Sequence, residues 1–351
     1  MKIYNILYAI ILFLFFTSCR NEIPFNVKEN NPKLVVNAIF DINSQSNYIF
    51  LAKTGRYDID SISEATINIY INEELREQLT KPTLPDTVHY PDGNGYYILY
   101  NYSPKNVRYK TDLSFNPGDK VKIEVFAENN KYHAWAEDIV PKSIEIEHID
   151  TMTYIKDNSS YIRLKTTFTD FPAENNFYRI ALAQKSTTHI KTEEGNLISE
   201  KPHEGTVYID VREDIVLNDG RITTDNELIP QSENRYAIFD DARLNGTYTI
   251  TTSIYRPNYY YYPTFEDGSF VESISIDYKV YLISITEMQY YYLKALNIIA
   301  SDSYNEYLST PVSFPSNVEG GIGFVGFSAS THKTFSIPDI IPDTTSWHGY
   351  R

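Results

Sequence analysis

A mainly β protein is predicted by three features of the sequence. Tyrosine and phenylalanine are abundant, with 31 and 18 residues against two tryptophans. Short runs alternate apolar and polar side chains, and glycine- or proline-containing turns separate the runs at even spacing. Tyrosine suits a strand because its ring packs on a pleated, half-buried surface while its hydroxyl reaches water. The architecture expected is an N-terminal immunoglobulin-like or transthyretin-like β-sandwich, followed by a larger β-sandwich-like domain that carries one packed α-helix.

Taken in order, the chain first presents residues 1–18, which are expected to be a lipoprotein signal peptide. After Lys2 the run at 6–16 reads ILYAIILFLFF. That is long enough for a signal-peptide core and well short of the roughly 18 to 20 apolar residues that a membrane-spanning helix needs. Thr17 and Ser18 then precede Cys19, the single cysteine, in a pattern close to a lipobox, with Phe16 standing where leucine is usual. Cys19 is the expected lipid attachment site, its sulfur carrying acyl chains that contribute about 0.8 kcal/mol per buried methylene. Residues 19–32 are polar, contain Pro24 and Pro32, offer only Ile23, Phe25 and Val27 for packing, and read as a tether.

Residues 33–140 form the first expected domain. Strand-like segments lie at 34–40, 48–52, 65–71, 96–102, 121–126 and 132–139, and Asp92-Gly93-Asn94-Gly95 and Pro117-Gly118 supply turns of the kind short antiparallel connections require. Pro141 marks the boundary, because a proline withholds a ladder donor at the end of a strand. Residues 141–351 form the second domain. Its expected strands lie at 144–149, 161–168, 177–183, 206–211, 247–255 and 275–283, with a mobile loop at the polar segment 184–203. One helix is expected near 284–299. Ser284 and Glu287 have the spacing of a capping box, and Met288, Tyr291, Tyr292, Ala295, Leu296 and Ile299 share a helical face.

The charge balance narrows the chemistry. The formal net charge is −15, and loss of Lys2 with residues 1–18 takes it from −15 to −16. That disfavours nucleic acid and anionic headgroups, both of which select clusters of Lys and Arg. With Cys19 acylated, no thiol remains for a disulfide, a catalytic cysteine or a thiolate metal site. The seven histidines show no HExxH or short metal-ligand pairing, so neither metal nor cofactor is expected. Glu193-Glu194 and Asp240-Asp241 read as solvated faces or turns rather than glycosidase carboxylates or calcium ligands. There is no GxSxG nucleophile elbow, and no catalytic residue is assigned.

Residues 321–326 spell GxGxxG, yet the residues after them continue as strand and turn, with no helix N-terminus to receive a pyrophosphate. A glycine-rich strand that bends or admits a second backbone is expected, with Phe324 and Phe327 packing beside it. The aromatic run Tyr259, Tyr260, Tyr261 and Tyr262, between Pro257 and Pro263, is the candidate contact for a ligand or partner, since exposed aromatic rings bury large area at small entropic cost. On a strand, alternation would bury two of the four.

Four segments together resemble the domain-of-unknown-function 4249 family (DUF4249). They are Lys33-Leu34-Val35-Val36-Asn37-Ala38; Phe168-Thr169-Asp170 with Asn176-Phe177-Tyr178-Arg179; Leu282-Ile283-Ser284-Ile285 leading into Tyr290-Tyr291-Tyr292-Leu293; and residues 317–327. The resemblance spans nearly the whole chain after the signal. It implies an outer-membrane lipoprotein of Bacteroidota, often encoded beside a TonB-dependent transporter of the starch-utilisation type, with no established enzymatic activity and no catalytic residues to carry over.

The expected function is a non-enzymatic binding or accessory subunit of a TonB-dependent nutrient transporter, lipid-anchored at the outer membrane, with the ligand unnamed and the cell-surface and periplasmic faces both open. The alternatives are a surface hydrolase of glycan or peptide with dispersed residues, and a structural or adhesin-like envelope protein. Asp60-Ser61-Ile62, Asp86-Thr87-Val88 and Asp150-Thr151-Met152 resemble the short O-glycosylation motif of that phylum.

Overall fold

The computed structural model describes residues 31–341, apart from 56–57, 84–86, 90–95, 99–105, 173, 219–233, 245, 257–263, 266, 302–303 and 306–308. Cys19, most of the tether and Tyr259 to Tyr262 lie outside the described residues. The first half of the chain forms β1 (Leu34–Asp41), β2 (Asn47–Thr54), β3 (Ile59–Asp60), β4 (Ala65–Ile71), β5 (Glu74–Leu79), β6 (Thr87–His89), β7 (Tyr96–Ile98), β8 (Val107–Thr111), β9 (Lys120–Ala127) and β10 (Tyr132–Ile139). The second forms β11 (Ile146–Lys156), β12 (Ser159–Thr169), β13 (Phe177–Lys191), β14 (Leu197–Thr206), β15 (Ile238–Asp240), β16 (Thr247–Arg256), β17 (Phe270–Ile285), α1 (Glu287–Ile299) and β18 (Ile322–Ile340). The fold is mainly β with one packed helix, and its layers are sandwich-like.

Alternation decides which faces meet. Leu34, Val36, Ala38 and Phe40 of β1 point to one side and are buried, as are Ala65, Ile67, Ile69 and Ile71 of β4 and Val121, Ile123, Val125 and Ala127 of β9. A period of two places each set on a single face. The four-stranded sheet β10-β9-β4-β5 closes over β1, β2 and β8, and these residues form the first core. The second core lies between the three-stranded sheet β11-β12-β16 and the strands β13, β17 and β18, with Ile162, Leu164, Phe168 and Ile250 facing Tyr178, Ile180, Tyr278 and Leu282.

The two cores part between Val140 and Ile144, beside Pro141. The largest sheet crosses that point, in the order β14-β13-β17-β18-β1-β2-β3. Its joint is β18, 19 residues long. The first part of β18 pairs in parallel with β1 from Val35↔Ile322 to Asp41↔Ser328, and the rest pairs antiparallel with β17. Val325 and Phe327 of β18 therefore complete the first core although they lie far beyond Pro141 in sequence. The GxGxxG run is strand from Ile322 onward, as the absence of a following helix implied. Gly323 has φ +113, and a Cβ there would lie 2.1 Å from the Val36 carbonyl oxygen.

Four local expectations are corrected. Ser284 is no N-cap: it lies inside β17, buried, with its Oγ unpartnered, and the cap position belongs to Thr286, whose side chain makes no capping bond. Pairing with Ala329 of β18 and Tyr178 of β13 holds Ser284 extended, so a tertiary ladder outweighs the local capping signal. The helix is also rotated from its expected face. Gln289, Tyr290, Leu293, Ala295 and Asn297 are buried, while Tyr291 and Ile299 are exposed. Residues 184–203 are no loop: β13 runs on to Lys191 and returns as β14, pairing from Ala183↔Thr206 to Lys191↔Leu197. Backbone pairing on both sides of β13 supports these polar residues, and strand structure ends at Thr206, so 206–211 is mostly irregular.

At the start of α1 the first sandwich meets the helix through Asp138. Its Oδ1 accepts the Ile139 amide at 2.8 Å, while its Oδ2 is buried without a partner, as are Thr286 Oγ1 and Gln289 Oε1. Burial pushes the Asp138 carboxyl above the usual aspartate range, against the pull of the Ile139 amide and the nearby Thr286 hydroxyl, and Glu287 adds to the rise. The sign follows from proton linkage. A raised folded-state value makes this group's contribution full below the ordinary aspartate value and loses it as pH rises through the folded value. Asp138→Asn keeps the acceptor and supplies a donor amide, so urea denaturation at pH 7 should show a gain of about 1 kcal/mol. That gain should shrink on acidification, and a loss of stability at pH 7 would refute the burial argument.

Candidate functional site

Two outward sheet faces carry aromatic side chains in fixed register. On the four-stranded sheet the rows are Thr66–Phe126–His133, Asn68–Glu124–Trp135 and Tyr70–Lys122–Glu137. Glu124 sits at the centre. Its carboxylate accepts Tyr70 Oη at 3.2 Å and Lys122 Nζ at 3.4 Å, and lies 3.1 Å from His133 Nε2. Partial burial alone would raise the Glu124 carboxyl, but the bonds from His133, Lys122 and Tyr70 outweigh it and hold the group below the usual range. Lys122 Nζ lies 5.3 Å from the Trp135 ring and 5.5 Å from the Tyr70 ring, and His133 stacks on Phe126 at 4.6 Å. Cation–π and charge-assisted bonds of this kind fix rings that would otherwise rotate.

On the three-stranded sheet, Tyr154, Tyr161 and Tyr255 stand opposite one another across β11, β12 and β16, with ring centroids 5.4 and 5.8 Å apart. Arg163 lies 4.6 Å over the Tyr154 ring and is bidentate to Glu213 at 2.6 and 2.9 Å. Tyr255 is nearly half exposed and is followed by Arg256, the last residue of β16, after which the chain enters 257–263. The Tyr259 to Tyr262 run thus follows directly on the strand that ends this tyrosine row. Both faces offer flat aromatic surface beside anchored charges, which suits stacking and hydrogen bonding rather than bond cleavage.

The remaining sequence candidates fall into structural roles. Asp240 accepts from Ala242 N and from Tyr290 Oη at 3.2 Å, and Asp241 accepts Asn176 N at 2.6 Å. Glu193 and Glu194 lie in the β13–β14 turn. Among the described residues, no group of three or more His, Cys, Asp and Glu side chains is arranged to hold a metal ion, and no helix is long and apolar enough to cross a membrane. Ser61 and Thr151 are exposed.

One constellation carries no signal in the sequence. His189 of β13 lies between two strands, its Nε2 2.9 Å from Ser275 Oγ of β17 and its Nδ1 3.4 Å from Glu200 Oε1 of β14. The three residues sit on separate strands with no local motif, so only the register reveals them.

A two-core β protein with aromatic outer faces and one helix is thereby defined. The chain belongs to the family described as Domain of unknown function (DUF4249), whose model matches residues 20–334. No curated protein matches it. Solved structures similar to parts of it include a Bacteroides uniformis β-glucuronidase, at 9% identity and TM-score 0.16 over 70% of this chain and 25% of that one. Another is a glycosyl hydrolase family 2 member from Bacteroides cellulosilyticus, at 7% identity and TM-score 0.14 over 72% and 28%. The chain spans about a quarter of the length of these structures, and likeness at this level carries no functional argument.

Proposed function

We propose that this protein is an outer-membrane lipoprotein acting as a binding or accessory subunit of a TonB-dependent nutrient transporter. The observation that carries the reading is the pair of rigid aromatic faces, one of them on the strand that leads into Tyr259, Tyr260, Tyr261 and Tyr262. Aromatic rings held by neighbouring charges present contact area that costs little ordering entropy on binding. The Cys19 signal supports attachment to the membrane through lipid, and the acidic charge balance fits an anchor that does not depend on anionic headgroups.

Two variants test the two halves of the proposal. Cys19→Ser should leave the protein unlipidated and release it from the membrane fraction, as read by the mass of the native N-terminus and by fractionation. Retention of an unmodified chain in the membrane would defeat the anchor reading. Alanine at all four of Tyr259 to Tyr262 should abolish co-purification with a transporter from solubilised outer membrane while leaving lipidation intact. If wild type and variant recover the same proteins and support the same nutrient uptake, this run has no docking role. Hydrolysis is the second reading, and the contacts of His189 favour it.

A further inference from the structure

We infer that Ser275, His189 and Glu200 form a nucleophile–base–carboxylate relay able to cleave short acyl esters, an activity beyond binding and independent of any transporter. The geometry has the order such a relay requires. The hydroxyl of Ser275 meets one imidazole nitrogen at 2.9 Å, and the opposite nitrogen faces a Glu200 carboxylate oxygen at 3.4 Å. The serine contact is a full hydrogen bond. The glutamate contact is loose, as such contacts often are before substrate binds. The relay uses the tautomer in which Nδ1 carries its proton toward Glu200 and Nε2 accepts from Ser275.

The setting differs from an ordinary polar row on a sheet. Regular register fails beside His189 and Ser275, and two residues from Glu200. The β13–β17 ladder shifts between His189 and Ile190, the β13–β14 ladder between Ile190 and Lys191, and the β17–β18 ladder between Ile274 and Ile276, with Ser275 between them. Bulges re-aim side chains and gather near reactive sites. His189 is only 24% exposed while Glu200 is 55% exposed, so the base is sheltered and the approach is open on the β14 side. Leu197 and Ile198 of β14 are half exposed there and offer apolar surface for an acyl group.

The chemistry balances without a further reactant. Ser275 Oγ bonds to the ester carbonyl carbon as its proton passes to His189 Nε2. Collapse of that adduct breaks the carbon–oxygen bond of the leaving alcohol, which takes the proton from His189. Water then attacks the acyl-serine, gives a proton to His189, and releases the acid while Ser275 recovers its proton. The net change is ester and water to acid and alcohol.

Strand geometry also limits the rate. Backbone N–H groups beside Ser275 belong to ladders, and no helix begins there, so the oxyanion is not met by the amides of a nucleophile elbow. One missing oxyanion donor costs about 10²–10³ in rate. The expected substrates are therefore activated or short esters, not amides.

The test uses purified full-length protein in detergent, a biotinylated fluorophosphonate, and p-nitrophenyl butyrate. Attack on the probe forms the Ser275 Oγ–phosphorus bond, expels fluoride and leaves the proton on His189. Peptide mass analysis should place a single adduct on Ser275. Adduct formation and ester turnover should vanish in Ser275→Ala and fall about 100-fold in His189→Gln, with a smaller loss in Glu200→Gln. Thermal midpoints should stay close to wild type in all three. No adduct on Ser275, or equal labelling of wild type and His189→Gln, would reduce the three residues to a cross-strand hydrogen-bond row and overturn the inference. Transporter co-purification is untouched by either outcome.

Discussion

Gly323→Ala should destabilise the protein by about 3 kcal/mol or more, because it adds two costs of about 1–3 kcal/mol each, backbone strain and overpacking. The backbone at Gly323 has φ +113. A methyl group there would sit 2.1 Å from the Val36 carbonyl oxygen and 2.8 Å from Asn37 Oδ1. Neither neighbour can yield cheaply. Val36 pairs with Gly323 in the β1–β18 ladder, and Asn37 Oδ1 accepts the Phe324 amide at 3.2 Å. Gly118 is the control: φ is +87, but nothing lies within 4 Å of the position a Cβ would take. Gly118→Ala therefore has the strain without the clash and should cost about 1 kcal/mol. Urea midpoints for the two variants decide the matter, and equal destabilisation would show that the close approach of β1 contributes nothing.

The glycine strand was legible in the sequence because a GxGxxG run with no helix behind it has nowhere to seat a phosphate, which leaves close backbone approach as the use for its glycines. Strands β1, β4, β9 and β12 were legible because alternation survives on any half-buried sheet. The helix was legible as an element but not in its limits. Ser284 and Glu287 carry a real local preference, yet Ser284 is held by two neighbouring strands, and pairing over the 16 residues of β17 outweighs one cap. The buried Gln289 and Asn297 hide the packed face from any count of apolar residues. Asn297 is buried for its bonds, accepting the Tyr236 amide and donating to Asn234 Oδ1.

Residues 184–203 misled for a related reason. A strand paired on both sides can have polar side chains on both faces, because its ladders satisfy the backbone whatever the side chains do. Hydrophobic alternation is the wrong signal there, and the β-branched Thr187, Thr188 and Ile190 were the better one. The same polar stretch supplies His189 and Glu200, so the error about structure also concealed the constellation with Ser275. Tyr154, Tyr161 and Tyr255 were hidden differently: each is an ordinary strand residue, and only the pairing of β11, β12 and β16 sets them in one row.

Phe327→Ala is expected to cost about 3–5 kcal/mol, the range for emptying a fully buried aromatic site. Phe327 is 0% exposed, stacks on Phe40 at 5.0 Å, and meets Phe115 edge-on at 5.5 Å, while Phe40 and Phe115 touch each other at 5.4 Å. Each such pair contributes about 0.5–1.5 kcal/mol beyond its buried area, so removing the shared member loses two pairs at once. The position makes the result informative beyond its size. Phe327 lies in the first core, but one residue later β18 leaves β1 and continues along β17, whose Tyr278, Val280 and Leu282 line the second core. A cavity at Phe327 loosens a strand that, among the described residues, both sandwiches share. Hydrogen exchange should therefore show β9 of the first core and β12 of the second losing protection together, with one unfolding transition at a lower urea midpoint. If β9 opened alone while β12 kept its wild-type protection, the two sandwiches would be energetically separate and β18 only a covalent link between them.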